Sequence, residues 1–203
     1  VEMIQRPQWG IACYMDNSIQ SCEVDETIYH EALVHPIMFA CREKCENVCI
    51  IGGGEGATAR EVLRWPVKRV DMYEWDPEVV ELFRTSYPQW AKGAWDDPRL
   101  TLHYVDIFEH IQSQPPQKYD VIIIDLFDPD ESNRGQWITL LQSLRNWVKD
   151  DGSMVMYAGM RALPIPNKEQ PYATLQNIIH KYVNNYSIQL GDCEIEKDSI
   201  PYK

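Results

Sequence analysis

Apolar residues recur along the chain in short blocks, separated by longer stretches with helical spacing. Val48–Ile51, Val70–Tyr73, Leu100–Val105, Val121–Ile124 and Ser153–Tyr157 read as strands. The fourth of these, Val-Ile-Ile-Ile, has no polar position, so both its faces are expected to be covered, as in a central parallel strand. Between the strands, Ala57–Trp65, Pro77–Tyr87 and a segment at about 136–148 have helical periodicity, and Pro77 suits a first helical turn. A helix near 170–183 and a strand near 186–193 follow. Upstream, Asp25 is placed to cap a helix through Ile28, Leu33 and Val34 whose end Pro36 disturbs. Strands alternating with helices of this length predict a doubly wound α/β sheet. Residues 1–24 break the rhythm, because Gly10–Met15 and Ile19–Cys22 flank Asp16-Asn17-Ser18, a β-hairpin pattern. The chain therefore divides into a hairpin segment, 1–24, and an α/β domain, 25–203, with Pro164–Pro171 the nearest thing to a linker.

At 203 residues the chain is long enough for one domain with its own core. Its 31 acidic residues against 19 basic ones give a net charge of −12. That balance speaks against a nucleic-acid backbone or an anionic membrane as partner, and it is compatible with a cationic substrate. Apolar runs are too short to span a membrane, and no secretory pattern opens the sequence, so a cytoplasmic location with six free thiols is expected. Cys41, Cys45 and Cys49 stretch the spacing used by radical iron–sulfur enzymes, and Cys49 falls inside an apolar strand, where it reads as core. No metal site is expected.

Four places carry candidate chemistry. Gly52-Gly53-Gly54-Glu55-Gly56 lies between a strand and a helix, where glycines let a ligand approach the backbone at a helix N-terminus. Dinucleotide enzymes and methyltransferases that use S-adenosylmethionine share such turns. Many of those methyltransferases carry an acid two residues before the first glycine, where this chain has Ile50. It has Glu55 within the loop instead, which would repel a carboxylate-bearing cofactor and attract a cationic tail. Alternatively, Glu55 simply complements the helix dipole. Glu74, ending the next strand, is placed to accept from ribose hydroxyls, or it is a solvated loop acid. Asp106 is either an adenine contact or the N-cap of a helix beginning at Ile107. Asp125 and Asp128 follow the apolar Val121–Ile124 strand, at the strand end where α/β folds place chemistry. Such a pair is costly without a partner, for which a bound ammonium or sulfonium would serve, unless it makes a structural turn. Tyr29 and His30, on the early helix, are uninformative alone.

Taken in order, the motifs resemble a known family. Gln20-Ser21, Val24-Asp25-Glu26, Ile28 through Pro36, Gly52 through Glu61, Asp76-Pro77-Glu78-Val79-Val80 and Asp97-Pro98-Arg99-Leu100 are similar to the aminopropyltransferases. These are the spermidine, spermine and thermospermine synthases, with wording closest to the last, over roughly residues 9–160. The resemblance implies a Rossmann-like, methyltransferase-type sheet and a homodimer or homotetramer. It implies transfer of an aminopropyl group from decarboxylated S-adenosylmethionine, a co-substrate and not a tightly bound cofactor, to a polyamine amine, releasing methylthioadenosine. Carried over by position, Gln20, Glu74 and Asp106 hold the nucleoside, beside Gly53, Gly54 and Ile107. Glu55 and Asp125 grip the aminopropyl ammonium, Asp125 accepts the proton with Tyr29 assisting, and Tyr29, His30 and Asp128 line the acceptor channel. Ile107, the polar stretch from Asp130 to Gly135, and Tyr157 depart from the family's usual residues. Family members are longer, which implies that their first hairpin strands and last strand and helix have no counterpart here. A methyltransferase on the same fold and a catalytically silent relative are the alternatives; Ile50 with Glu55 opposes the first, and the retained Asp125, Asp128, Tyr29 and Gln20 oppose the second.

Overall fold

A computed structural model describes residues 1–157, apart from 42–44, 114, 116, 128, 130 and 131. The expected helix near 170–183, the strand near 186–193 and the Pro164–Pro171 linker lie outside the described residues. A three-stranded antiparallel sheet opens the chain: β1 (Glu2–Arg6), β2 (Gly10–Met15) and β3 (Ser18–Cys22), in that order. The hairpin expected here is thus joined by β1, which pairs along β2 from Glu2↔Tyr14 to Arg6↔Gly10. Its polar sequence, Glu-Met-Ile-Gln-Arg, has too little alternation to announce a strand; the pairing with β2 supplies the order. Asp16 and Asn17 turn the chain with positive φ, a conformation Asn and Asp tolerate well.

The rest alternates. Helix α1 (Glu26–Cys41) leads to β4 (Asn47–Gly52), α2 (Ala57–Leu63), β5 (Arg69–Glu74), α3 (Pro77–Ser86) and β6 (Leu100–Tyr104). A short α4 (Ile107–His110), β7 (Tyr119–Asp125), α5 (Arg134–Leu144) and β8 (Val148–Met156) complete it. All pairings in the second sheet are parallel, in the order β6-β5-β4-β7-β8. The order reverses between β4 and β7, and the crevice beyond the carboxyl ends of those strands is where such sheets bind ligands. This is the doubly wound arrangement expected. Among the described residues no helix is long and apolar enough to cross a membrane.

The central strands are buried on both faces. Val48, Ile50, Val121 and Ile123 pack with Leu33, Val34 and Met38 of α1 and Ala59 and Val62 of α2. Cys49, Ile51, Ile122 and Ile124 point the other way, against Ile107, Trp137, Leu140 and Leu144 from α4 and α5. Burial on both faces is what the unbroken apolar sequence of β7 requires, and it places Cys49 in the core. The N-terminal sheet contributes Cys13 to a smaller cluster with Ala57 and with Val79 and Phe83 of α3.

Two boundaries differ from expectation. Pro36 does not end α1, which continues to Cys41 because Met38 and Ile37 beyond it bury against the sheet. That contact outweighs the backbone bond a proline removes. The fifth helix stops at Leu144, well short of 148, and β8 starts at Val148, earlier than Ser153. The register slips between Tyr119↔Val148 and Val121↔Ser153, so polar Lys149–Gly152 bulges out of the ladder and hides the strand from a periodicity reading.

Candidate active site

The loop after β4 and the ends of β5 and β7 converge. Gly52, with φ 83°, passes so close to β7 that a Cβ would stand 2.1 Å from the Asp125 carbonyl oxygen. No other residue fits there. Gly53 faces Asp125 and Gly54 faces Glu74: a Cβ at each would stand 3.4 Å from Asp125 Oδ2 and 3.1 Å from Glu74 Oε2. The bare loop therefore keeps open the space between two strand-end carboxylates. Glu74 is buried, and its Oε1 accepts from the Trp75 and Asp76 N–H groups at 2.8 and 3.0 Å. Burial pushes its carboxyl above the ordinary range, those two N–H bonds oppose this, and the nearby Glu55 charge adds to it. A fixed, buried acceptor at this strand end suits ribose hydroxyls, not the solvated alternative.

Asp125 is held from both sides. Tyr29 of α1 donates to Oδ1 at 2.6 Å, and Thr58 of α2 donates to Oδ2 at 2.5 Å. Burial raises the Asp125 carboxyl, the Glu55 charge raises it further, and His30, Thr58 and Tyr29 pull against both. Burial and the Asp125 charge likewise push the Tyr29 phenol far up, so it stays a neutral donor. Tyr29 lies edge-on to His30 and to Tyr157, with ring centres 4.8 and 5.5 Å apart.

His30 is buried beside the two acids, its Nε2 2.9 Å from Glu55 Oε1 and 3.9 Å from Asp125 Oδ2. Its Nδ1 faces the Glu26 carbonyl at 2.5 Å. Burial presses Glu55 upward, but the bond to His30 and its charge keep the carboxylate below its ordinary value. The ligand atoms of His30, Glu55 and Asp125 lie within 4.8 Å of one another. Nδ1 faces a carbonyl and Nε2 a carboxylate, so a protonated imidazole can donate to both. The two clustered carboxylates, Glu55 and Asp125, suit an organic cation as partner.

Behind them stand residues to which the sequence motifs assigned no role. Arg60 meets Glu26 Oε2 at 2.8 Å and Glu61 Oε1 at 2.7 Å, and donates to the Trp90 carbonyl. Burial would raise Glu26, yet its bonds to His30, Arg60 and Thr27 bring it down to about 2. Thr58, Glu26 and Arg60 lie within the quoted segments, but nothing local in the sequence assigns them these partners. Arg99 of the Asp97-Pro98-Arg99 motif is structural: it bridges Asp97 and the Leu63, Trp65 and Val67 carbonyls at and just past the end of α2.

Other expected residues stand apart. Gln20 is exposed on β3, its amide donating to the Ser18 carbonyl at 3.3 Å, and among the described residues no hydrogen bond links it to the strand-end acids. Asp106 is exposed and caps α4 by accepting from the Phe108 N–H at 2.9 Å, while Ile107 is buried beneath it. The capping alternative is therefore realised. Asp128, Asp130 and Glu131 lie outside the described residues.

A profile of the spermine/spermidine synthase domain matches residues 26–186. A polyamine aminopropyltransferase of Pyrobaculum calidifontis is 43% identical over 157 residues, 74% of this chain and 54% of that protein. One from Sulfolobus acidocaldarius is 34% identical over 175 residues, 84% and 57% of the two chains. Among solved structures, spermidine synthase from Thermotoga maritima superposes with a TM-score of 0.67 at 31% identity, covering 78% of this chain and 52% of that one. A spermidine synthase in complex with the transition-state analogue AdoDATO superposes at 0.70 with 32% identity, covering 77% and 54%. The chain thus spans about half the length of the relatives it matches. A match of this extent, to the domain profile and to relatives alike, makes the chain a member of the spermine/spermidine synthase domain family.

Proposed function

We propose that this chain transfers the aminopropyl group of decarboxylated S-adenosylmethionine to a polyamine amine. The observation that carries the reading is Asp125, a half-buried strand-end carboxylate clamped by Tyr29 and Thr58 and facing the glycine loop with Glu55. Glu74 and Gln20 hold the nucleoside, with Asp106 and Ile107 toward the adenine, and Tyr29, His30 and Asp128 line the acceptor channel. Glu55 and Asp125 attract the aminopropyl ammonium, and a donor that keeps its carboxylate would be repelled by Glu55. This favours the decarboxylated donor over the intact cofactor and so opposes the methyltransferase alternative.

The acceptor amine, with a reference pKa like that of lysine (about 10.4), arrives protonated. Asp125 takes one proton from it, and the freed lone pair attacks the carbon attached to sulfur. The C–S bond breaks with its electrons on sulfur, turning the sulfonium into neutral methylthioadenosine. The residues contribute position and proton removal, each a recognised source of rate. The acceptor we favour is spermidine over putrescine, on the wording of the Tyr29-His30-Glu31 and Gly54-Glu55-Gly56 segments. Calorimetric titration with methylthioadenosine, decarboxylated S-adenosylmethionine and intact S-adenosylmethionine tests the reading. Tightest binding of the decarboxylated donor is expected; preference for the intact cofactor would overturn it.

A further inference from the structure

Carboxylates that grip an ammonium also favour its protonated form, whereas attack needs the lone pair free. His30 bears on this conflict. It is 1% exposed, and oxygen acceptors stand at both ring nitrogens. Nδ1 faces the Glu26 carbonyl at 2.5 Å and Glu26 Oε2 at 3.4 Å, while Nε2 faces Glu55 Oε1 at 2.9 Å and Asp125 Oδ2 at 3.9 Å. Carbonyl and carboxylate oxygens accept, and Glu55 is held ionised, so neither neutral tautomer satisfies both ends whereas a doubly protonated ring does. The Glu26 carboxylate is fixed in turn by Arg60 and accepts from the Thr27 hydroxyl at 2.8 Å. Burial works against the imidazolium, but bonds to Glu26 and Glu55 and the charges of Glu55 and Asp125 carry His30 up to about 10.

We infer that Glu26, anchored by Arg60, is a positioning residue that keeps His30 a permanent cation, and that this cation makes the amine held at Asp125 less basic. The inference rests on the aminopropyl-transfer reading. A hydrogen bond of about 2.8 Å to Asp125 Oδ2 would leave the amine no farther than about 7 Å from Nε2. A like charge at that range lowers an ammonium pKa by about 1, which is about tenfold more free amine at neutral pH. Every group facing the ring takes part: Glu26 from its own helix, Glu55 from the loop after β4, Asp125 from β7 and, edge-on, Tyr29.

Nitrogen-15 NMR of the imidazoles in the full chain, with pH profiles of kcat, tests this. His30 is expected to have both nitrogens protonated at pH 8 in the wild type and to lose a proton at lower pH in Glu26→Gln, where Glu55 and Asp125 still face the ring. In that variant kcat should match wild type at low pH and fall increasingly behind it, toward about tenfold, as the ring loses its second proton with rising pH. Affinity for methylthioadenosine, which has no amine tail, should hold, and Glu26→Asp should restore part of the loss. A wild-type His30 with one bare nitrogen at pH 8 overturns the inference without any variant having to fold. So does a Glu26→Gln loss that is equal at every pH, the mark of a merely structural role. The ring spectrum needs no turnover: if no aminopropyl transfer occurs, the underlying reading and the effect on the amine fail together, and the spectrum separately decides the charge of His30.

Discussion

Replacing Thr58 by valine keeps the outline of the side chain and deletes one hydroxyl. Thr58 is fully buried, and its Oγ1 donates to Asp125 Oδ2 at 2.5 Å. Asp125 already sits above its ordinary 3.8 because burial, and then the Glu55 charge, oppose its ionisation. Losing a hydrogen bond to a charged acceptor costs about 1.5–3 kcal/mol. At 1.36 kcal/mol per pKa unit, the Asp125 pKa should rise by a further ~1–2. The proton acceptor works only as a carboxylate, so turnover persists above its pKa and is lost below it. The acid limb of kcat should therefore move to higher pH by ~1–2, with the alkaline plateau little changed. The assay is kcat between pH 5 and 9 at saturating donor, with circular dichroism confirming the fold of Thr58→Val. An acid limb at the same pH in both proteins, or displaced to lower pH, would refute the argument that Thr58 tunes Asp125.

Glu55→Gln should weaken decarboxylated S-adenosylmethionine far more than methylthioadenosine, and equal losses by calorimetry would make Glu55 a helix-end acid only. Gly56 has φ 81°, and a Cβ there would stand 2.4 Å from the Trp95 ring and 2.7 Å from Ala91 Cβ. Gly56→Ala should therefore cost about 2–5 kcal/mol by denaturant unfolding, summing left-handed strain and overpacking; a loss under ~1 kcal/mol would contradict that packing. His30 is raised from 6.5 to about 10, so its stabilising charge is present below pH 6.5 and lost as pH climbs through 10. Glu26 is lowered from 4.5 to about 2, so its contribution is present above pH 4.5 and lost as pH falls through 2. Tm should hence decline above pH 6.5 and below pH 4.5, and His30→Gln should flatten the alkaline slope; an unchanged slope would exclude His30 as its source.

The strands that build the site were legible because they are buried on both faces. Cys49-Ile50-Ile51 and Val121-Ile122-Ile123-Ile124 leave no polar face to solvent, and the sheet covers each side with helices. The Gly52–Gly56 turn, Glu74 and Asp125 were legible for a second reason: a parallel sheet fixes where strand ends lie, so local sequence already implies that they meet. Tyr29 and His30 were not legible from spacing, and only their resemblance to aminopropyltransferases brought them to the site. Thr58 with Asp125 and Arg60 with Glu26 remained hidden, since each pair joins residues far apart in sequence through side-chain bonds alone. Pro36 and the Lys149–Gly152 bulge misled for a related reason: tertiary contact overrode the local rule. Asp106 shows the limit of position alone, because capping α4 and contacting an adenine ask for the same acid at the same place.

The central claim is that Asp125 takes a proton from a polyamine amine while an aminopropyl group leaves sulfur. The most direct measurement incubates the protein with decarboxylated S-adenosylmethionine and an equimolar mixture of spermidine and putrescine, then quantifies methylthioadenosine and extended polyamine by chromatography. Wild type should release one methylthioadenosine per aminopropylated amine, with the spermidine-derived product in excess. Asp125→Asn should do so at least ~10²-fold more slowly while binding methylthioadenosine as before. Near-normal turnover by Asp125→Asn, or a wild-type protein that binds the donor and forms no extended polyamine, would contradict the account.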